Sequence, residues 1–181
     1  MICEHYTLGN LGFNVLEKFP KKEREVIVNN IESINIFKDF RDTSYDALDK
    51  ELAKTLKSVG YAWDKDKTLN VGGKHPCFLW IDTKHSVDFY NQESKIAIEV
   101  EKTEVKRIPH DVLKFLLASE IGKVEYGVLI IPKIYRTRTE DRDFEKTVKA
   151  NIKFYFNTVI PRYPNLKDIL FIVYDFPKKE A

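Results

Sequence analysis

Three acidic residues stand at a spacing that could hold a metal ion. In the segment "HSVDFYNQESKIAIEVEKTE", Glu99 and Glu101 alternate with apolar residues, and Asp88 precedes them. Alternate side chains of a strand share a face, and a hairpin would bring Asp88 beside them. Carboxylates so close raise one another's pKa, and a divalent cation such as Mg²⁺ relieves the repulsion. Such an ion could polarise a phosphoryl oxygen and lower the pKa of a bound water, as hydrolysis of a phosphodiester requires.

A simpler interpretation places the same acids on a solvated strand face. A strand with one wet side alternates apolar and polar residues, and its glutamates then need no chemical role. Two features favour a site. The hairpin would align Asp88 with Glu99, and the segments that follow are apolar enough to cover the sheet, which would place this strand in its interior.

Helices and strands alternate in the part of the chain that follows residue 80. The predicted helices are 20–36, 43–60, 107–122 and 139–160, and the predicted strands are 77–82, 85–91, 95–102, 126–134 and 168–176. Gly60 should end the second helix, Pro109 falls in the first turn of the third, and Pro161 should end the fourth. This order predicts an α/β fold with a mixed sheet flanked by helices.

The composition is that of an ordinary globular protein. The 181 residues are 43% hydrophobic and 32% charged, which favours a single domain with a substantial core. We expect an N-terminal helical part over 1–60 and a catalytic core over 78–176. The net charge is only +2, so a charged partner must be recognised by local patches. Cys3 and Cys77 lie far apart and are expected to be free thiols.

The chain shows no targeting or membrane signal. The start "MICEHYTLGN" lacks a charged region followed by an apolar run, as a signal peptide would have. No stretch approaches the roughly 20 apolar residues that span a bilayer. We therefore expect a cytoplasmic protein.

The order Asp, short hairpin, Glu-x-Glu resembles the core of the PD-(D/E)XK nucleases. In that family the acids bind the metal, and the third position orients or activates the attacking water. The resemblance implies that Asp88 and Glu99 hold Mg²⁺ and that Glu101 adds a ligand or positions the water. Glu101 stands where the commonest version has lysine, a replacement also found in restriction enzymes of the BamHI type. Lys102 should face the opposite side of the strand.

The likeness to the BglII/BstYI group of type II restriction endonucleases extends over most of the chain. It rests on the ordered segments "ICEHYTLGNLGFNVLEKFPKKEREVIVNNIESI", "DALDKELAKTLKSVGY", "VDFYNQESKIAIEVEKTE", "DVLKFLLASEIGKVEYGVLIIP" and "DILFIVYDFP". It implies a Mg²⁺-dependent, sequence-specific endodeoxyribonuclease that acts on double-stranded DNA as a homodimer, with the 107–122 helix or a neighbour at the dimer face. A cognate DNA methyltransferase is an expected partner in the same system.

Basic residues around the catalytic strand are candidates for contact with DNA. Such side chains neutralise phosphates, and arginine can also pair with guanine in the major groove. The candidates are Lys102, Lys106, Arg107, Lys133, Arg136 and Arg138. Nucleases of this fold often use a fourth acid from a preceding helix, and Glu51 is the candidate here. The alternatives are a solvated charged loop for the arginines and an ordinary surface glutamate for Glu51.

Two other functions remain open at this point. A structure-selective repair or junction nuclease would use the same metal site and would cut according to DNA shape. A non-catalytic module that binds DNA or protein would carry the acids as a polar sheet face. It would show no Mg²⁺-dependent cleavage.

Overall fold

The structure is a computed structural model that describes residues 2–6, 18–34, 44–70, 72, 74–79, 86–102, 107–136, 141–143, 146, 150, 153–154, 157–158 and 160–175. The strands are β1 (Ile2–Tyr6), β2 (Ala62–Trp63), β3 (Phe89–Asn91), β4 (Ile96–Val100), β5 (Tyr126–Pro132), β6 (Ile134–Arg136), β7 (Asp141–Asp143) and β8 (Asp168–Asp175). The helices are α1 (Lys21–Glu32), α2 (Ser44–Lys57) and α3 (Ile108–Glu120), with 3₁₀ turns at Lys67–Leu69 and Ile160–Arg162. None of the helices in these ranges has the length and apolarity needed to cross a bilayer.

Six strands form one mixed sheet in the order β1-β8-β5-β4-β3-β2, and β6 pairs with β7 separately. Strands β4, β5 and β8 run parallel, whereas β1, β2 and β3 each pair antiparallel with their neighbours. Helix α3 connects the parallel strands β4 and β5. The carboxyl ends of those two strands therefore lie at the same edge of the sheet, which is where α/β proteins generally place their sites.

The sheet separates two apolar cores. On one face, Ala97 of β4 packs in a cluster with Phe115 of α3. On the other face, Ile98 packs in a cluster with Ile27 of α1 and Leu52 of α2. Neighbouring residues of β4 enter different cores because successive side chains of a strand point to opposite faces. The predicted mixed sheet flanked by helices is confirmed.

The hairpin between β3 and β4 is fixed by a local turn. The side-chain oxygen of Asn91 accepts hydrogen bonds of 3.0 Å from the amides of Glu93 and Ser94. Lys95 completes the turn with a φ of 53°. The hydrogen bonds from the Glu93 and Ser94 amides to the Asn91 side chain favour a turn over continuation of the strand. They hold the register in which Phe89 pairs with Ile98.

A glycine in β5 lets α3 lie close to the sheet. A Cβ atom at Gly127 would stand 2.4 Å from Cδ2 of Phe115, closer than any real contact. The aromatic ring thus occupies the space that a side chain at 127 would need. This contact sets the height of α3 above β4 and β5, and so the position of every residue that α3 directs toward the sheet.

The longer elements agree with the sequence. Helices α1, α2 and α3 confirm the helices predicted over 20–36, 43–60 and 107–122. Gly60 follows α2 with a φ of 92°, a conformation in which glycine is at no disadvantage. The hairpin and the buried strands β5 and β8 are also confirmed.

The short elements and the fourth helix differ from expectation. Strands β1 and β2 were not predicted. Among the described residues of 77–82, only an isolated bridge from Phe78 to Ser86 is formed. The helix predicted over 139–160 is wrong at its start, because Asp141–Asp143 pairs with β6. The described helical residues of that segment are 146, 150, 153, 154, 157 and 158.

Candidate active site

The hairpin register brings Asp88 alongside Glu99. Asp88 immediately precedes Phe89, whose partner is Ile98, so Asp88 stands across from Glu99. The amide of Val100 donates a 2.7 Å hydrogen bond to Asp88 Oδ2. The predicted alignment of these two acids is therefore present in the structure. Both lie near the carboxyl end of β4.

Glu99 is buried against helix α3. Its exposed fraction is 6%, and Lys114 of α3 donates a 2.6 Å hydrogen bond to Glu99 Oε1. The Lys114 ammonium also lies 3.5 Å from Asp111 Oδ1, one helical turn earlier. Asp111 is itself buried, with 5% of its surface exposed. Lys114 thus stands between a strand carboxylate and a helix carboxylate.

Glu101 lies just beyond the end of β4 and is 5% exposed. Its amide donates to Ile130 O at 2.9 Å, which continues the pairing with β5 by one residue. Its Oε1 accepts a 3.0 Å hydrogen bond from the amide of Lys102, and its Oε2 lies 3.9 Å from Nε of Arg107. The side chain is therefore held at the edge of the sheet, where α3 begins.

Burial and neighbouring carboxylates raise the pKa values of acids in this site. Burial raises the pKa of Glu99 well above its ordinary value, the charges of Asp88 and Asp111 raise it further, and Lys114 opposes them. Burial is also the main cause of the raised pKa of Asp88, against the Val100 hydrogen bond. Burial raises the pKa of Asp111 to about 7 despite Lys114, with Glu101 and Asp88 adding to the rise. Four acids thus share one electrostatic environment.

Lys114 remains a cation in this environment. Burial alone would lower the pKa of its ammonium, but the carboxylates of Glu99 and Asp111 outweigh that effect, and the net shift is upward. Its side chain is 15% exposed. A charge buried to this degree is tolerated because it is paired on two sides.

A different acid from the predicted one approaches the site from α2. Glu51 is 44% exposed on its side chain and lies 3.8 Å from Lys54 on the same helix. Asp49, two residues earlier, is ion-paired with Lys102 and with Lys65, the latter at 2.9 Å. The charge of Asp49 contributes to the raised pKa of Asp88. Asp49 rather than Glu51 is therefore the α2 acid that interacts with the predicted site.

Asp64 adds a further acid behind the hairpin. Its amide donates a 3.0 Å hydrogen bond to the carbonyl oxygen of Asp88. Burial and the charge of Asp88 raise the pKa of its side chain. Its Oδ1 is buried and has no hydrogen-bond partner among the described residues.

The donor chemistry suits a hard divalent cation. The side chains of Asp88, Glu99, Glu101 and Asp111 offer carboxylate oxygens, the ligands that Mg²⁺ prefers. As the side chains stand, no group of three or more His, Cys, Asp or Glu residues in the described part of the chain is arranged to hold a metal ion. Lys114 engages the Glu99 carboxylate, and the Val100 amide engages Asp88, so ligation would require these side chains to reorient.

The residues predicted to contact DNA differ from one another in their exposure and in their ion-pair partners. Lys102 pairs with Asp49, and Lys133 donates to Glu4 of β1. Arg107 is 61% exposed on its side chain at the start of α3. The backbone of Arg136 lies in β6, and Lys106 and Arg138 lie outside the described residues.

Sequence reasoning missed Asp111 and Lys114, although α3 carries a signal for the first. Ile108, Val112 and Phe115 mark its buried stripe, and Asp111 falls on that stripe at the helical interval from Ile108. An ionisable residue on the apolar side of a helix is costly unless it is paired. Lys114, one turn further along, supplies the pairing.

Residues 13–173 match the family model described as "Putative halobacteria restriction endonuclease". The chain belongs to this family of restriction endonucleases. The match spans α1, α2, α3, the β3–β4 hairpin and β5, and it supports a nuclease function. No curated protein sequence matches the chain at a significant level.

Two solved structures of the restriction endonuclease BglII share the fold. The one described as "complexed with DNA 16-mer" has a TM-score of 0.64 and 8% sequence identity, over 98% of this chain and 81% of that chain. Free BglII has a TM-score of 0.55 and 8% identity, over 99% of this chain and 82% of that chain. The resemblance drawn from the sequence is confirmed at the level of fold.

Proposed function

We propose that this restriction endonuclease family member is a Mg²⁺-dependent, type II enzyme that cuts both strands of DNA at a short specific sequence. The observation that carries the proposal is the burial of Glu99 and Glu101, at 6% and 5% exposure, beside Asp88. On a solvated strand face these glutamates would be open to water. Burying like charges together is costly, and a divalent cation bound among them would offset that cost.

Each acid has a distinct role in this proposal. Asp88 and Glu99 hold Mg²⁺, and Glu101 adds a ligand or positions the attacking water. Mg²⁺ held by these residues would supply Lewis-acid chemistry, lowering the pKa of a bound water and neutralising charge on the phosphoryl oxygens. The Val100 hydrogen bond orients Asp88, and the pairing of Glu101 with β5 holds the end of β4 in place. Both contacts hold the acids at the end of the hairpin in the metal-free protein, and Asp88 would exchange the Val100 bond for the cation.

Basic residues are proposed to bind the DNA. Arg107 is the best supported of the described candidates, because its side chain is exposed and lies near Glu101. Lys106, Arg136 and Arg138 remain candidates on their place in the sequence. Lys102 and Lys133 have carboxylate partners, so contact with phosphate would require them to exchange those partners.

A homodimer through α3 completes the proposal. Leu113, Leu117 and Ile121 are about half exposed, at 46%, 46% and 53%. They recur every fourth residue, so they form one apolar stripe on the outer side of the helix. A two-fold axis through this stripe would pair two active sites for the two DNA strands. Action in the cytoplasm, a single nuclease domain and a cognate methyltransferase are parts of the same proposal.

Digestion of a long natural DNA tests the proposal. Purified protein is incubated with the DNA and Mg²⁺, with EDTA and with the Glu99→Gln variant as controls, and the ends are mapped by sequencing. Discrete fragments that share one end sequence are expected. Cleavage confined to branched or mismatched DNA would favour a structure-selective nuclease. Activity that persists in Glu99→Gln would show that the proposed site is wrong.

A further inference from the structure

Helix α3 has an inverted distribution of polarity around Lys114. Its outer side carries the exposed residues Leu113 and Leu117, whereas Lys114 points inward and is 15% exposed. An ordinary surface helix directs lysine to water and leucine to the core. Solubility therefore does not explain an inward lysine. Its surroundings must do so.

The inward position places Lys114 among the site's carboxylates. Its ammonium lies 2.6 Å from Glu99 Oε1 and 3.5 Å from Asp111 Oδ1. Arg107, near Glu101, is far more exposed, at 61%. Lys102, the nearest lysine in sequence to Glu101, is paired with Asp49 of α2. Among the described residues, Lys114 is thus a cation that contacts Glu99 directly.

We propose that Lys114 is a positioning residue of the active site, one that orients the Glu99 carboxylate from α3. This inference rests on the proposed nuclease function. Lys114 remains an ammonium throughout, and no proton transfer is assigned to it. A divalent cation held by Glu99 would compete with Lys114 for the carboxylate, and Asp111 would remain a partner of the ammonium.

This role has a signature that a packing role lacks. Removing the ammonium takes a positive charge away from the metal ligands, so a divalent cation should bind as well as before or more tightly. The same change leaves the Glu99 carboxylate without its orienting partner, so cleavage should slow. A residue that only supported the fold would lose metal affinity and cleavage together.

The variants are Lys114→Met, which keeps the aliphatic stem, and Lys114→Arg, which keeps the charge. Lys167→Met is the matched control, because Lys167 is also paired with a glutamate of another segment, Glu125. Single-turnover cleavage with saturating Mg²⁺ and calorimetric binding of Mg²⁺ without DNA are measured for each. Thermal melts establish that each variant is folded, and Lys114→Gln replaces Lys114→Met if the latter is not.

We expect Lys114→Met to cleave about 100-fold more slowly, with Mg²⁺ affinity unchanged or up to about tenfold tighter. Lys114→Arg should recover part of the rate, and Lys167→Met should match the wild type. A Lys114→Met rate within about threefold of the wild type, or a parallel fall in Mg²⁺ affinity without recovery by arginine, would overturn the role of Lys114 alone. A wild type that does not cut DNA would overturn the nuclease proposal, and the inference with it.

Discussion

The amide of Val100 donates a 2.7 Å hydrogen bond to Asp88 Oδ2, and this contact joins the two strands of the hairpin where the acids lie. Asp88 is consequently held by the backbone of the strand that carries Glu99. The distance between the two acids then depends on the hairpin register, which the Asn91 turn sets at the other end.

Asp88→Asn should abolish cleavage and stabilise the metal-free protein. Asparagine keeps an oxygen that can accept the Val100 bond but removes a buried charge that raises the pKa of Glu99. We expect a rate loss of about 1,000-fold and a gain of about 1 kcal/mol in the free energy of unfolding. Single-turnover cleavage and urea unfolding in EDTA measure the two. A variant that is both inactive and less stable would contradict the proposed role of Asp88.

Asp111 should make the metal-free protein less stable as the pH rises. The pKa of Asp111 is about 7 in the folded state, above the ordinary 3.8, so the folded protein retains a proton that the unfolded chain has lost. Its contribution to stability is therefore fully present below pH 3.8 and is lost as the pH rises to about 7.

The comparison with Asp111→Asn isolates this effect, because all other titrating groups are common to both proteins. We expect similar free energies of unfolding at about pH 4, and a wild type less stable by about 1–2 kcal/mol at about pH 8, both in EDTA. Adding Mg²⁺ at the higher pH should reduce the difference. A difference that does not change with pH would show that Asp111 is ionised throughout.

Gly127→Ala should displace α3. The added methyl group would overlap the ring of Phe115, with atoms 2.4 Å apart, so the ring must turn within the packed core or the helix must move off the sheet. A loss of about 1–3 kcal/mol is expected in urea unfolding, together with slower cleavage, since α3 carries Lys114 and Asp111. The double variant Gly127→Ala/Phe115→Leu removes the overlap and should recover part of both. Full activity in the single variant would mean that the height of α3 is not critical.

The two acids of α2 should differ in their effect on activity. Asp49→Asn releases Lys102 and Lys65 from their shared partner and removes a charge that affects Asp88. We expect cleavage about 10-fold slower, as when the supporting partner of a ligand is lost. Glu51→Gln, on the same helix but paired only with exposed Lys54 among the described residues, is the matched control and should cleave at the wild-type rate. Slower cleavage by Glu51→Gln, with the wild-type rate in Asp49→Asn, would instead identify Glu51 as the fourth acid.

A charge in the outer stripe of α3 should separate the proposed dimer. Leu117→Glu places a carboxylate at a position that is 46% exposed in one chain and that a two-fold contact would bury. We expect sedimentation to show a monomer for this variant and a dimer for the wild type. Cleavage of both DNA strands should fall more than cleavage of a single strand. Ser58→Glu adds the same charge at the end of α2 and should remain dimeric. A monomeric wild type would exclude α3 as a dimer face at the concentrations tested.

The parts of the fold that follow from sequence are those with a clear period or turn signal. The β3–β4 hairpin, α3 and β5 carry alternation, helical spacing or an unbroken apolar run, and all are present. Strand β7 has the sequence "DRD", which has no apolar period, and it exists through backbone pairing with β6. Strand β1 likewise depends on its partner β8, far away in the chain.

The residues of the candidate site also divide into those that the sequence predicts and those that it does not. The relation of Asp88 to Glu99 follows from strand geometry alone, so it could be predicted. The places of Lys114 and Asp49 depend on how α3 and α2 pack on the sheet, a tertiary relation that no local pattern encodes. Asp111 lies between these cases, because its place on the buried stripe of α3 could have been noticed.

The hairpin that carries the acids contributes side chains in turn to both apolar layers, as Ala97 and Ile98 show. Substitutions in either core should therefore shift the carboxylates that the hairpin carries, even when the substituted residue lies on α1. Lineages of such enzymes would have to exchange core residues in compensating sets. Screens for inactive variants should find their hits spread through the interior as well as around the acids.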